Sequence, residues 1–268
     1  MTNTIGVIGC GWLGFSLAKT IVAAGYTVKG TTTSSEKLEK LTTANIDSYV
    51  IKLHETNIEG DISGFLSNVD SLIINIPPRL RKNANGNYVA KIELLLAEIK
   101  KATLKKVIFI SSTSVYGNIS GEVTEETIPQ PKTASGKQLL ECENLLLKQT
   151  NFKTSVIRFG GLIGPERHPI TMLSGRVGLT NGEEPVNLIH RDDCIHMIMT
   201  ILKNDYWGQV FNGVYPLHPT KKEYYTKEAI KRNLEVPKYN YLSYMASKKI
   251  IINKNFLVKK HMLYTSII

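Results

Sequence analysis

Thr4-Ile5-Gly6-Val7-Ile8-Gly9-Cys10-Gly11-Trp12-Leu13-Gly14 joins a short apolar β-rich run to a turn spaced by glycines. Beyond it, Leu13, Leu17 and Ile21 recur every four residues with Ala18 and Val22 beside them, which is one apolar helix face. The stretch predicts a strand over residues 4–8, a tight loop, and a helix ended by Gly25, since glycine tolerates the left-handed cap conformation. Glycines 9, 11 and 14 have G-x-G-x-x-G spacing in the strand–loop–helix context that gives this motif its meaning. The first permits the turn, the second lets the backbone approach a pyrophosphate, and the third lets helix and strand pack closely. Free N–H groups and the dipole at the helix start favour phosphate. Gly9, Gly11, Trp12, Leu13 and Gly14 are therefore expected to cradle a dinucleotide. The competing reading is a structural turn that binds nothing.

Outward from this stretch, strand-like and helix-like segments alternate. Strands are expected over 26–32, 47–53, 71–76, 106–111 and 154–159. Helices are expected over 34–44, 88–102 and 135–148, the second with Ile92, Leu95, Leu96 and Ile99 along one side. Uninterrupted apolar strands between amphipathic helices imply a parallel sheet covered on both faces. Right-handed crossovers make it doubly wound, so the fold class is an α/β Rossmann sheet with a small C-terminal substrate lobe. A division into a dinucleotide-binding domain, 1–160, and a substrate-facing lobe interleaved with the main sheet, 161–268, follows from the weaker rhythm after Gly160. Residues 239–268 carry no clear fold signal.

Composition narrows the class further. The 268 residues are 42% hydrophobic and 21% charged, ordinary globular usage that argues against a disordered or fibrous chain. The apolar runs fall short of the roughly 20 residues a membrane span needs. No basic-then-apolar leader is apparent at the start. Three widely spaced cysteines, Cys10, Cys142 and Cys194, suggest neither a disulfide framework nor a metal site, and point to a reducing, cytoplasmic setting. The net charge of +10 is uneven: residues 219–268 hold 11 basic and 3 acidic side chains. Such a region attracts anions or forms a solvated lysine-rich surface. With no nucleic-acid motif beside it, nucleic acid is not the expected partner; a small-molecule substrate is, with the chain a monomer or homodimer.

The second strand chooses the cofactor. NAD-binding sheets place Asp or Glu at its end to hold the ribose hydroxyls. Here the tail reads Lys29-Gly30-Thr31-Thr32-Thr33-Ser34-Ser35-Glu36-Lys37, with no acid at the expected place. Thr31, Thr32, Ser34 and Lys37 could instead surround a 2′-phosphate, so NADP is expected over NAD.

Three later motifs join the glycine loop: Ile110-Ser111-Ser112-Thr113-Ser114-Val115-Tyr116-Gly117, Arg158-Phe159-Gly160-Gly161-Leu162-Ile163-Gly164-Pro165, and Asn187-Leu188-Ile189-His190-Arg191-Asp192-Asp193. In order and spacing, over roughly residues 4–215, the chain resembles an atypical subgroup of the extended short-chain dehydrogenase/reductase superfamily, the NAD-dependent epimerase/dehydratase group. Its loop departs by one residue from the common G-x-x-G-x-x-G pattern. The resemblance implies a catalytic Ser, Tyr and Lys. Ser112 matches the serine, and Lys137 matches the lysine that lowers the tyrosine's pKa and holds the nicotinamide ribose. Four residues before Lys137 stands Thr133, where the family has tyrosine. An aliphatic hydroxyl is a poor general acid or base near neutral pH, so the usual proton relay is broken at that position. Thr113 and Ser114 on the serine turn are further substrate candidates, as are Arg167 and His168 in the loop after Gly164-Pro165, where the family contacts substrate. A histidine there could donate a proton. Pro77, after the fourth expected strand, is placed on the cofactor's ribose side, Tyr116 is read as structural, and Asp192 or Asp193 as a helix cap.

Two functions follow. One is an NADP-dependent oxidoreductase, epimerase or dehydratase acting on an anionic metabolite such as a nucleotide sugar. The other, motivated by Thr133, is a non-catalytic dinucleotide-binding or redox-sensing protein.

Overall fold

The structure is a computed structural model that describes residues 3–80, 85–240 and 248–267. The first part of the chain forms β1 (Thr4–Ile8), α1 (Trp12–Ala23), β2 (Thr27–Thr32), α2 (Leu38–Thr42), β3 (Asp47–Val50), β4 (Lys52–Leu53), β5 (Ile58–Glu59), α3 (Ile62–Leu66), β6 (Ser71–Ile74), α4 (Tyr88–Lys101) and β7 (Lys106–Ser112). The remainder adds β8 (Gly121–Val123), α5 (Ala134–Leu147), β9 (Lys153–Phe159), β10 (Gly161–Ile163), α6 (Ile170–Leu173), β11 (Leu188–His190), α7 (Arg191–Lys203), β12 (Val210–Gly213), α8 (Lys221–Lys231), β13 (Lys249–Ile251) and α9 (Lys254–Val258).

Seven strands make the main sheet in the order β12-β9-β7-β6-β1-β2-β3, every neighbour parallel. From β1 the chain winds one way to β3, crosses back to β6, and winds the other way. This is the expected doubly wound sheet, and the reversal between β1 and β6 opens a crevice at their C-terminal ends. Period-two alternation divides the core between the faces. Val7, Ile73 and Ile108 pack with Leu13, Leu17 and Ile21 of α1 and Ile198 of α7. Leu72, Ile74, Val107 and Phe109 pack with Ile92 and Leu95 of α4 and Leu139 and Leu146 of α5. Each fully buried Ile or Leu contributes about 1.5–3 kcal/mol relative to exposure.

The helix expected over 34–44 is shorter: a 3₁₀ turn at Ser35–Lys37 precedes α2. The strand expected over 47–53 ends at Val50, and Lys52–Leu53 turns away to pair antiparallel with Ile58–Glu59.

The lobe is built on the β10–β11 pair with α6 and α8, around Ile163, Ile170, Val186, Leu188, Tyr224, Tyr225 and Ala229. Between its pieces the chain re-enters the main layer, with α7 packed on α1 and β12 on the sheet edge. The end of the chain, unreadable from sequence, is ordered by long-range pairing. β13 runs parallel to β8, Phe256 of α9 is fully buried, and buried Asp193 accepts hydrogen bonds from the Tyr264 and Thr265 N–H groups at 2.8 and 3.0 Å. Asp193 is therefore not the expected helix cap. His190 caps α7, its Nδ1 accepting from the Asp192 N–H at 3.2 Å.

Candidate functional site

The glycine loop has the shape its spacing requires. Gly9 is left-handed at φ +101°, and its N–H donates to Thr31 Oγ1 at 2.9 Å. A Cβ on Gly14 would collide with the Gly9 carbonyl oxygen, so α1 lies as close to β1 as the third glycine allows. Asn75, just past β6, donates from Nδ2 to the Gly9 carbonyl at 3.0 Å and ties the loop to the neighbouring strand. A Cβ on Gly11 would meet nothing within 4 Å. Gly11 is the N-cap of α1, no side chain caps this end, and no acid stands in its first turn. The helix start is thus open, positive in potential and free of Cβ, which fits a pyrophosphate. Trp12 and Leu13 begin the helix at this opening; Leu13 is buried in the core, while the Trp12 indole N–H reaches out to the Pro165 carbonyl at 2.9 Å.

At the end of β2 the threonines are buried and engaged. Thr31 accepts from Gly9, and the Thr32 hydroxyl accepts from the Ser34 N–H at 3.3 Å. Thr31, expected at a 2′-phosphate, instead shapes the glycine loop. Ser34 is half-buried and Lys37 exposed at this end of the crevice, and Pro77 is exposed after β6 on the far side of the loop.

Across the crevice, Ser112 ends β7 and caps the 3₁₀ turn Thr113–Tyr116, its hydroxyl accepting from the Ser114 N–H at 3.2 Å. Thr113 and Ser114 lie on this turn and are half-buried. Thr133 is the N-cap of α5; its hydroxyl accepts from the Gly136 N–H at 3.1 Å. Lys137 is exposed, and its side chain lines a groove on the outer surface of α5 with Leu140, Glu141 and Asn144. The residues facing the sheet, Gly136, Leu139, Cys142, Glu143 and Leu146, fix the rotation of the helix and put Lys137 on the opposite side. No side-chain hydrogen bond joins Ser112, Thr133 and Lys137 among the described residues.

Behind the serine turn lies a buried network that the sequence reading missed. Glu143 is fully buried and accepts from Ser111 Oγ at 2.5 Å and from Arg158 Nη2 at 2.6 Å. Arg158 Nη1 donates to the Tyr116 hydroxyl at 2.9 Å, which donates to Asn212 Oδ1 at 2.8 Å. Tyr116 is structural, as expected; burial pushes its phenol up, against the lowering effect of Arg158. A glutamate at a core-facing helix position was the available signal.

The lobe places the remaining candidates. His168 is buried: Nδ1 accepts from the Ile170 N–H at 3.2 Å, and Nε2 lies 2.9 Å from the Tyr224 hydroxyl and 3.5 Å from Glu228. Burial, reinforced by Arg232 and opposed by Glu228, pushes its pKa down to about 4. His168 is therefore a neutral core histidine of the lobe, not a substrate-lining acid, because its local turn and Tyr224 occupy both ring nitrogens. Arg167, expected at substrate, stacks over the Trp12 ring of the glycine loop, its guanidinium carbon 5.0 Å from the ring centre. Lys249 of β13, not singled out from sequence, reaches the Gly117 carbonyl at 2.6 Å beside the serine turn. Burial lowers its ammonium pKa. Asn187 clamps this strand through the Lys249 carbonyl at 2.9 Å and the Ile251 N–H at 2.8 Å.

The described chain matches protein YeeZ of Escherichia coli strain K12, 33% identical over 236 residues, spanning 88% of this chain and 86% of that protein. The chain therefore belongs to the YeeZ family. The family model of the NAD binding domain of 6-phosphogluconate dehydrogenase matches residues 4–126, the part that carries β1, the glycine loop and the switch point. Among solved structures, MoeE5 in complex with UDP-glucuronic acid and NAD superposes with a TM-score of 0.79 at 18% identity, over 98% of this chain and 95% of that one. UDP-glucuronic acid 4-epimerase from Bacillus cereus in complex with NAD gives 0.79 at 20% identity, over 98% and 92%. At these identities the likeness is one of fold. Among the described residues no helix is long and apolar enough to cross a membrane.

Proposed function

We propose that the protein binds NAD(P) at the glycine loop and works as an oxidoreductase, epimerase or dehydratase on a small anionic metabolite in the cytoplasm. The observation that carries this reading is the open helix start at Gly11, bracketed by two glycines whose side chains would collide. The cofactor supplies hydride chemistry at its nicotinamide. The chain binds its phosphates at the start of α1 and orients a substrate oxygen with Ser112, beside Thr113 and Ser114. The half-buried ammonium of Lys249 adds positive charge beside the serine turn, which suits an anionic substrate. NADP is favoured over NAD because no carboxylate ends β2, while Ser34 and Lys37 remain accessible there. Three free, buried cysteines fit a reducing compartment.

A second reading, a dinucleotide binder without turnover, is favoured by one feature: the Thr133 hydroxyl is committed to its own helix and Lys137 faces outward. Calorimetry with NADPH and NADH, followed by a substrate panel read at 340 nm, separates the readings. Tight binding with turnover supports the enzyme, and tight binding with none supports the binder. Absence of binding at millimolar concentration refutes both. Activity gained in Thr133→Tyr identifies a degraded relay; activity lost on that change identifies a different proton donor.

A further inference from the structure

Two arginines, one from the lobe loop after β10 and one from the start of α7, converge on the glycine loop. The guanidinium carbons of Arg167 and Arg191 lie 5.0 and 5.6 Å from the centre of the Trp12 ring. Trp12 is the first residue of α1 and follows the open N-cap Gly11. Its ring is anchored by the indole hydrogen bond to Pro165, so both cations rest on a fixed platform. Gly164 makes this approach possible: at φ +153°, its added Cβ would stand 3.1 Å from the Trp12 ring and 3.1 Å from Arg191 Cβ. Among the described residues no carboxylate pairs with Arg167. Arg191 is engaged through Nε alone, with Asp192 Oδ1 at 3.3 Å, while His190 faces the same Asp192 at 3.6 Å. Two guanidiniums with free terminal nitrogens thus rest on the first residue of a helix that carries no acid in its first turn. Guanidinium forks match phosphate oxygens bidentately, and stacking leaves their N–H edges available.

We propose that Arg167 and Arg191 close over the pyrophosphate of the dinucleotide, so that the cofactor is gripped by the start of α1 on one side and by an arginine each from the lobe and from α7 on the other. The clamp rests on the dinucleotide reading above. It also makes cofactor binding an event that fastens the lobe to the sheet, because Arg167 comes from the lobe loop after β10, whereas α1 and Arg191 of α7 belong to the main layer. A merely adhesive role for the stacked pair predicts loosened packing with unchanged phosphate binding, and the two roles separate by experiment.

The test titrates full-length wild type, Arg167→Ala and Arg191→Ala with NADH and NADPH by calorimetry at 50 and 300 mM KCl. Each variant is expected to bind both dinucleotides at least tenfold more weakly, with a shallower salt dependence, because one screened charge contact is gone. Affinity within twofold of wild type in both variants overturns the clamp. So does a loss confined to NADPH, which would place the arginines at the 2′-phosphate. A wild type that takes up neither dinucleotide removes the dinucleotide reading, and the clamp with it. A second measurement avoids variants. Phenylglyoxal labelling of the wild type, mapped by mass spectrometry, is expected to slow at Arg167 and Arg191 when NADPH is present, and equal labelling in a protein shown to bind NADPH overturns the proposal. Emission of Trp12 in a Trp207→Phe background is expected to change on binding, since these are the two tryptophans of the chain.

Discussion

Two helix starts, those of α1 and α5, are finished in opposite ways. The first turn of α1 has no side-chain cap, and Gly11 leaves its N–H groups open. The first turn of α5 is closed by Thr133, whose hydroxyl takes the Gly136 N–H. An open helix start is a place for an anion, whereas a capped one satisfies itself. The features that hold a cofactor and the features that move a proton are thus physically separate here. The open start keeps its N–H groups free, whereas the capped start uses its hydroxyl within its own helix.

The largest effect is expected where that contrast is steepest. Gly14→Val drives a side chain into the Gly9 carbonyl and the Asn75 amide, and should cost more than about 3 kcal/mol in chemical denaturation. Gly11→Val points into open space and should leave the melting temperature nearly unchanged while removing dinucleotide binding. If both glycines behaved alike, the distinction between a shaped loop and an open one would fail.

Next, the network behind the serine turn should act as scaffold. Arg158→Met strands the buried Glu143 carboxylate and should cost about 3–5 kcal/mol, with much of it recovered by adding Glu143→Leu. No recovery in the double variant would mean that the loss lies in packing and not in charge.

The lobe should reveal His168 through pH. Its folded pKa of about 4 lies below the unfolded value of about 6.5, so the unfolded chain binds the extra proton between them. Stability is then fully present above pH 6.5 and falls as pH drops toward 4, by on the order of 3 kcal/mol from this group. His196 and His218, also lowered by burial, act with the same sign. Denaturation of His168→Gln across this range should show a shallower fall; an unaltered slope would mean that His168 is solvated and free to meet substrate.

The smallest effect tests the sealed helix. Thr133→Ala should lose about 1 kcal/mol, Thr133→Ser should restore it, and dinucleotide affinity should not move in either. A change in affinity would tie the cap to the cofactor after all.

Much of this was legible locally. Glycine spacing, four-residue apolar recurrence and short apolar strands gave the order of the main-sheet strands and the long helices through residue 159, though not α3, the β4–β5 pair or β8, because each signal is set by neighbours along the chain. The later part resisted for a physical reason. β13 gains its partners from β8, some 130 residues earlier, and the final residues are held by Asp193 on α7. Such contacts leave no periodicity in the segment itself.

The candidate site divides along the same line. Amino-acid type alone marked Gly9, Gly11 and Gly14, since only a missing Cβ allows that loop, and it marked Thr133 as an anomaly. Which way a polar side chain faces depended on the whole fold. Rotation of α5 on its buried face turned Lys137 outward, and the packing of α8 buried His168. The loop after β10 carried Arg167 onto Trp12, and a strand from the far end of the chain brought Lys249 to the serine turn. Chain-local chemistry determines what a residue is able to do, while the summed burial of distant apolar faces, worth far more than any single polar contact, decides where it is held to do it.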